Sequence, residues 1–280
     1  MKTRQFEEEF GNTYEERWGL AVSDDDEIAV TVSSRVVVQL FTERGVTKPY
    51  LTMPDNKLKE CNSLTGITFD KYGNILVVDN ANCVIHTFSR KLESEEYKYK
   101  GIKFGEKGDL EHQMLSPGGL SVGKNGNIIV ADSWKQAILI FTSEGNFVRK
   151  IDERSFVYPM HCVQVDKYIV VSDGSAHTIN VFDPEGTFLY QFGKKGDGDE
   201  ELNCPRCLAV DKLGHLLVCD YGNNRIQVFE LQESSLKLIG TIGKGGNSKV
   251  EFNQPFSLGV LSDGRIVVND VGNKRLVKIA

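Results

Sequence analysis

Asp220-Tyr221-Gly222-Asn223-Asn224-Arg225-Ile226-Gln227-Val228-Phe229 reads as a tight turn feeding a strand, and the chain repeats it. The clearest partner is Asp270-Val271-Gly272-Asn273-Lys274-Arg275-Leu276. Weaker copies begin at Asp79, Asp132 and Asp173. A sixth copy begins at Thr31, with Thr in place of Asp and one extra residue before Phe41. The anchors recur at roughly 40–50 residues, the period of propeller blades.

Each copy has one internal grammar. In the fifth, Pro205 precedes the apolar run Leu208-Ala209-Val210, and a turn follows at Lys212-Leu213-Gly214. Then come Leu216-Leu217-Val218, the Asp220 turn, Ile226 to Phe229, and a last run from Lys237 to Ile242. Four short strands rich in Val, Ile, Leu and Phe, separated by Gly, Asn and Asp turns, make one unit. Leu20 and Val22, Ile67 and Phe69, Leu120 and Val122, Leu208 and Val210, and Leu258 and Val260 recur in register. The fourth copy has a shortened first hairpin and is read as one residue longer after Pro159. The expected fold is all-β: a six-bladed propeller with four antiparallel strands per blade, residues 1–280 forming one domain.

The ends of the chain bear on closure. The last copy stops after its third strand at Ala280, while Arg4 to Gly11 reads like the fourth strand Leu189 to Gly193. The amino-terminal strand is therefore expected to complete the last blade.

Composition is that of an ordinary soluble protein, 40% hydrophobic and 26% charged. No apolar run reaches membrane-spanning length, and the first residues lack a signal-peptide core, so the expected location is cytoplasmic. A net charge of −6 argues mildly against wholesale nucleic-acid binding, and no DNA partner is expected. The acidic runs at Glu7–Glu9, Asp24–Asp26, Glu93 to Glu96 and Asp197 to Glu201 read as solvated loops and edges. Six cysteines at irregular spacing read as buried free thiols rather than a disulfide framework. Cys204-Pro205-Arg206-Cys207 has no second pair for zinc and no helix behind it for redox chemistry. The five histidines do not converge: His161 and His177 share an end of blade four, while His86, His112 and His215 map elsewhere. No catalytic residue, metal or cofactor is expected.

Repeat alignment gathers Arg17, Trp18, Arg35, Trp134, Lys135, Tyr158, His161, His177, Arg206, Tyr221, Asn223, Arg225, Phe256, Lys274 and Arg275 at one end of the ring. Aromatic, Arg and Asn side chains suit a protein hot spot or stacked single-stranded bases. Repeat-encoded Arg225 and Arg275 have a plainer role as loop braces, which favours non-repeat Trp134, Tyr158, His161 and Arg206 as functional residues.

The run from Pro205 to Phe229, Pro-x-x-Leu-x-Val-Asp-x-x-Gly-x-Leu-Leu-Val-x-Asp-x-Gly-Asn-Asn-Arg-Ile-Gln-Val-Phe, closely resembles the NHL repeat. Asp183 to Gly193 looks like the propellers that end tripartite-motif ubiquitin ligases. That resemblance implies a monomeric recruitment module that binds a protein partner, with single-stranded or stem-loop RNA as the alternative ligand. It implies no ubiquitin transfer by this chain, which shows no RING, B-box or coiled coil. An NHL amidating lyase that uses zinc is a further relative, and the shortage of axial histidines weighs against that chemistry.

Overall fold

The computed structural model describes residues 6–11, 16–54, 61, 63–91, 96–249 and 251–280. They form six small antiparallel sheets arranged as blades about an axis. Blade five shows the plan, with strands Pro205–Val210, Leu216–Asp220, Arg225–Leu231 and Leu236–Ile242 side by side in chain order. Blades two, three and four begin at Leu64, Pro117 and Pro159 and follow the same order. Blade one departs from it. Its sheet has three strands, Arg17–Val22, Ile28–Val32 and Val37–Phe41. Residues 47–51 take the fourth place through isolated bridges of Thr47 to Phe41 and Leu51 to Val38.

The core lies between blades, not within them. Six apolar clusters each join two neighbouring sheets; one sets Val163, Val170 and Val181 of blade four against Leu208, Leu216 and Phe229 of blade five. A second strand is thus covered on both faces. That is why Leu216–Asp220 and Ile266–Asp270 are buried at every residue rather than at alternate ones.

The aspartate closing each second strand is the repeat's fastening. Asp132, Asp173, Asp220 and Asp270 are wholly buried. Each accepts backbone N–H groups from the loop entering its own first strand, as Leu115 and Ser116 give to Asp132 and Asn203 gives to Asp220. In blades five and six an arginine joins: Arg225 Nε lies 2.7 Å from Asp220, and Arg275 Nε 3.0 Å from Asp270. Their Nη2 groups donate onward to carbonyls of Gly198 and Glu201, and of Ser248 and Glu251. Asn223 and Asn273 brace the same carboxylates.

Two details of the repeat register differ from the sequence reading. In blade one the residue facing the start of the first strand is Val32, paired with Arg17, so Val32 and not Thr31 stands in the aspartate's place. The extra residue before Phe41 then vanishes. The turn agrees, because Val36, Cys83, Gln136, His177, Asn224 and Lys274 all adopt positive φ, each four residues after its anchor. In blade four, His161 pairs with Ser172 as Ser257 pairs with Asn269, so the stretch after Pro159 is not longer. Cys162, wholly buried, occupies the site where other blades put Leu or Ile. The hairpin shortening is real: Val165 pairs with Tyr168 across a two-residue turn.

The strand Phe6–Phe10 pairs antiparallel with Arg275–Ile279 and completes blade six. Arg4 and Gln5, placed on this strand by sequence, lie outside the described residues. Lys278 meets Glu8 and Arg275 meets Glu9, both at 2.9 Å, and Phe10 packs edge-on against Phe41 of blade one. Burial of Phe10 alone stabilises by about 1.5–3 kcal/mol. Removing residues 1–11 also bares the edge of Arg275–Ile279. A thermal melt of that truncation is expected to show Tm lower by roughly 6 °C or more. Asp220→Ala takes the carboxylate from the half-buried guanidinium of Arg225 and from the N–H of Asn203, and chemical denaturation is expected to show a loss of about 1–3 kcal/mol.

Candidate functional site

All six first strands carry an irregularity in register between their opening residue and the buried Leu, Ile or Cys. A bulge there re-aims the intervening side chains. In strand register these form two rings about the axis. The inner ring is Gly19, Gly66, Gly119, His161, Cys207 and Ser257; the outer is Trp18, Thr65, Gly118, Met160, Arg206 and Phe256.

Both rings line a cavity of about 320 Å³, with Ser63, Asn80, Ser116, Ser133, Trp134 and Tyr158 at its margin. Its shape follows from the inner ring. A Cβ on Gly119 would sit 2.4 Å from His161 Cδ2, and one on Gly66 would sit 2.3 Å from the Gly118 carbonyl. Three glycines therefore bring blades one to three close together, and the larger residues of blades four to six wall the other side.

The rim is aromatic and cationic. Trp18 meets Phe256 edge-on at 5.0 Å, and Phe256 meets Tyr221 at 6.0 Å. The Arg206 guanidinium lies 4.8 Å from the Tyr221 ring and 5.1 Å from that of Phe256. Such contacts are each worth about 0.5–2 kcal/mol. Arg206 Nη1 reaches only the sulfur of Met160, at 3.7 Å, and its buried Nε has no hydrogen-bond partner among the described residues. Trp134 stands 69% exposed on the opposite rim. Among the described residues no carboxylate lines the cavity.

His161 is half-buried on the wall. Its Nδ1 accepts the N–H of Leu208 at 3.4 Å, so the neutral ring carries its proton on Nε2. Burial lowers its pKa to about 4.

Of the residues singled out by repeat alignment, the structure places Trp18, Trp134, Tyr158, His161, Arg206 and Phe256 at the cavity, with Tyr221 behind Arg206. The remaining candidates lie elsewhere. Asn223, Arg225 and Arg275 face inward as braces. His177 sits in a left-handed turn and accepts the Cys204 N–H. Lys135 donates to the Leu110 carbonyl, and Arg35 lies over Tyr50. Arg17 is buried and donates to the Gly11 carbonyl, and Lys274 occupies the turn of blade six. Thr65, Met160 and the three ring glycines were missed. Their signal is positional: each falls one or two residues before the buried Leu, Ile or Cys of a first strand. Cys207 is buried with its pKa raised to about 11 by desolvation, and Cys204 is also a free thiol.

A family model described as NHL repeat matches residues 114–141 and 202–229. Those two segments match the NHL repeat. The chain is 30% identical over 146 residues to Protein brain tumor of Drosophila melanogaster, a match covering 49% of the chain and 14% of that protein. It is 29% identical over 137 residues to the B-box type zinc finger protein ncl-1 of Caenorhabditis elegans, covering 46% and 16%. It is 35% identical over 74 residues to the E3 ubiquitin-protein ligase TRIM71 of Rattus norvegicus, covering 26% and 8%. The matched part is thus a small share of each of these relatives. Among solved structures, virginiamycin B lyase from Staphylococcus aureus superposes with TM-score 0.64 at 14% identity, over 95% of the chain and 82% of that one. A gluconolactonase from Xanthomonas campestris does so with TM-score 0.68 at 12% identity, over 96% and 86%. At such identities they share the fold with this chain. No helix among the described residues is long and apolar enough to cross a membrane.

Because folding lowers the His161 pKa, the unfolded chain binds more protons below the ordinary histidine value near 6.5. The stabilisation from the neutral ring is complete above about 6.5 and is lost as pH falls toward 4. Urea melts at pH 7 and pH 4.5 are expected to show a smaller acid loss for His161→Gln than for the parent chain.

Proposed function

We propose that this NHL propeller is a non-catalytic binding module that takes a protein partner on the cavity end, as the substrate-recognition part of a ubiquitin ligase assembly in the cytoplasm. The carrying observation is Arg206, a guanidinium held between two rings on a rim with Trp18 and Trp134. Exposed Trp with a clamped Arg is the composition of a protein hot spot. Relatives named as E3 ubiquitin-protein ligases support the setting. Buried free thiols fit a reducing compartment.

The charges favour protein over RNA. Near this end Lys107 and Lys135 donate to carbonyls of Ala81 and Leu110, and Lys194 and Lys244 pair with Glu201 and Glu251. Arg225 and Arg275 are spent on Asp220 and Asp270. Among the described residues Arg206 is the one permanently charged residue lining the cavity. Backbone recognition of RNA calls for several phosphate contacts.

The test is affinity capture from cell extract with the parent chain, Trp134→Ala and Arg206→Ala. Partners are expected to survive ribonuclease and to bind each variant at least about tenfold more weakly, with melting temperatures unchanged. Capture that disappears with ribonuclease, or a mobility shift of single-stranded RNA that falls steeply with salt and is abolished by Arg206→Glu, would overturn the reading.

A further inference from the structure

Blade two breaks the repeat at two positions, and both breaks touch the same carboxylate. Three residues before the first strands of blades three to six a residue plugs the blade: Met114, Phe156, Leu202 and Phe252. In blade two the plug is Cys61. Seven residues after the anchor aspartate, blade five places Gln227, whose amide donates to Asp220. In blade two that residue is His86. Thiol and imidazole thus converge on Asp79, and the ligating atoms of the three lie within 4.8 Å of one another. All three residues are buried, at 3% exposure or less.

The hydrogen bond between His86 and Asp79 is a stretched one. His86 Nε2 lies 3.5 Å from Asp79 Oδ2. That is long for a charge-assisted hydrogen bond, which runs at about 2.7–2.9 Å. Two ligands of a tetrahedral zinc ion, with bonds of about 2.0–2.1 Å, stand about 3.3–3.5 Å apart. The surroundings match what a ligand set needs. His86 Nδ1 is 3.0 Å from Tyr99 Oη, which orients the ring and leaves Nε2 for the metal. Asn82 donates its backbone N–H to Asp79 Oδ1 and its amide to Oδ2 at 2.8 Å.

We propose that Cys61, Asp79 and His86 form a binding site for a soft divalent cation, zinc above all, inside blade two. Thiolate, imidazole and carboxylate are zinc ligands, and a thiolate selects against magnesium and calcium. On binding, the Cys61 thiol loses its proton to solvent and its sulfur forms the metal bond. With Nε2 on the metal, His86 Nδ1 keeps its proton and donates it to Tyr99 Oη. A water completes the tetrahedron. The site is independent of the cavity and locks the first-strand plug of blade two to its third strand.

The test uses the whole chain, reduced and stripped of metal by a chelator. Calorimetric titration with zinc chloride is expected to show a single equivalent bound, with a rise in Tm. Cobalt chloride is expected to give tetrahedral visible bands with a near-ultraviolet thiolate band. The double variant Cys61→Leu, His86→Gln installs the residues blade five uses, so it is expected to fold and to lose at least about 100-fold in zinc affinity. His86→Gln alone is expected to weaken zinc by about 10–100-fold and serves if the double variant does not fold. Cys204→Ser is expected to bind zinc as the parent does. Absence of zinc uptake by the stripped parent, a cobalt spectrum without the thiolate band, or unaltered binding in His86→Gln would overturn the assignment.

Discussion

A buried carboxylate at the end of a second strand is what lets a blade stand. Removed from water, an aspartate is costly unless its oxygens are saturated. The saturating donors are backbone N–H groups of the entering loop and the following turn, with Arg225 or Arg275 added in the last two blades. One side chain thus ties three segments that share no sheet ladder at that point. In blades three to five the entering loop is thereby tied to the end of the second strand, which holds neighbouring rim residues in place. Blade one, with Val32 in this place, uses other ties: Thr31 donates to the Thr65 carbonyl and Ser33 to that of Leu64.

The fold was legible because the repeat is written in residues with strong local consequences. Asp, Gly-Asn turns and apolar runs recur, and each constrains backbone or burial. The errors arose where one blade substitutes chemistry without changing geometry. Cys162 fills a leucine's space and so hid the register of blade four. Thr31 mimics a polar anchor one residue too early, and only the pairing of Arg17 with Val32 reveals it. Half of the rim was legible by alignment. Arg225 and Arg275 could be read both as face residues and as loop braces, because sequence gives the position of Arg225 along the strand but not that its guanidinium turns back onto Asp220. Blade two's Cys61 and His86 stand far apart in sequence, and nothing local announces that both reach Asp79.

The cavity shows how a symmetric scaffold acquires an asymmetric site. Equivalent ring positions hold glycine in blades one to three and His161, Cys207 and Ser257 in blades four to six. These positions lie where neighbouring first strands meet: Gly66 closes on the Gly118 carbonyl, and Ser257 donates to the Trp18 carbonyl. Side-chain bulk there sets the depth of the hollow, and the outer ring sets its chemistry.

The pairing of Phe6 with Ile279 puts the entry and exit of the ring side by side at one end of an antiparallel pair. Tension applied through those two points peels hydrogen bonds one after another instead of shearing them together. The propeller should therefore yield mechanically at this seam, at low force, while the interfaces between its other blades are still intact.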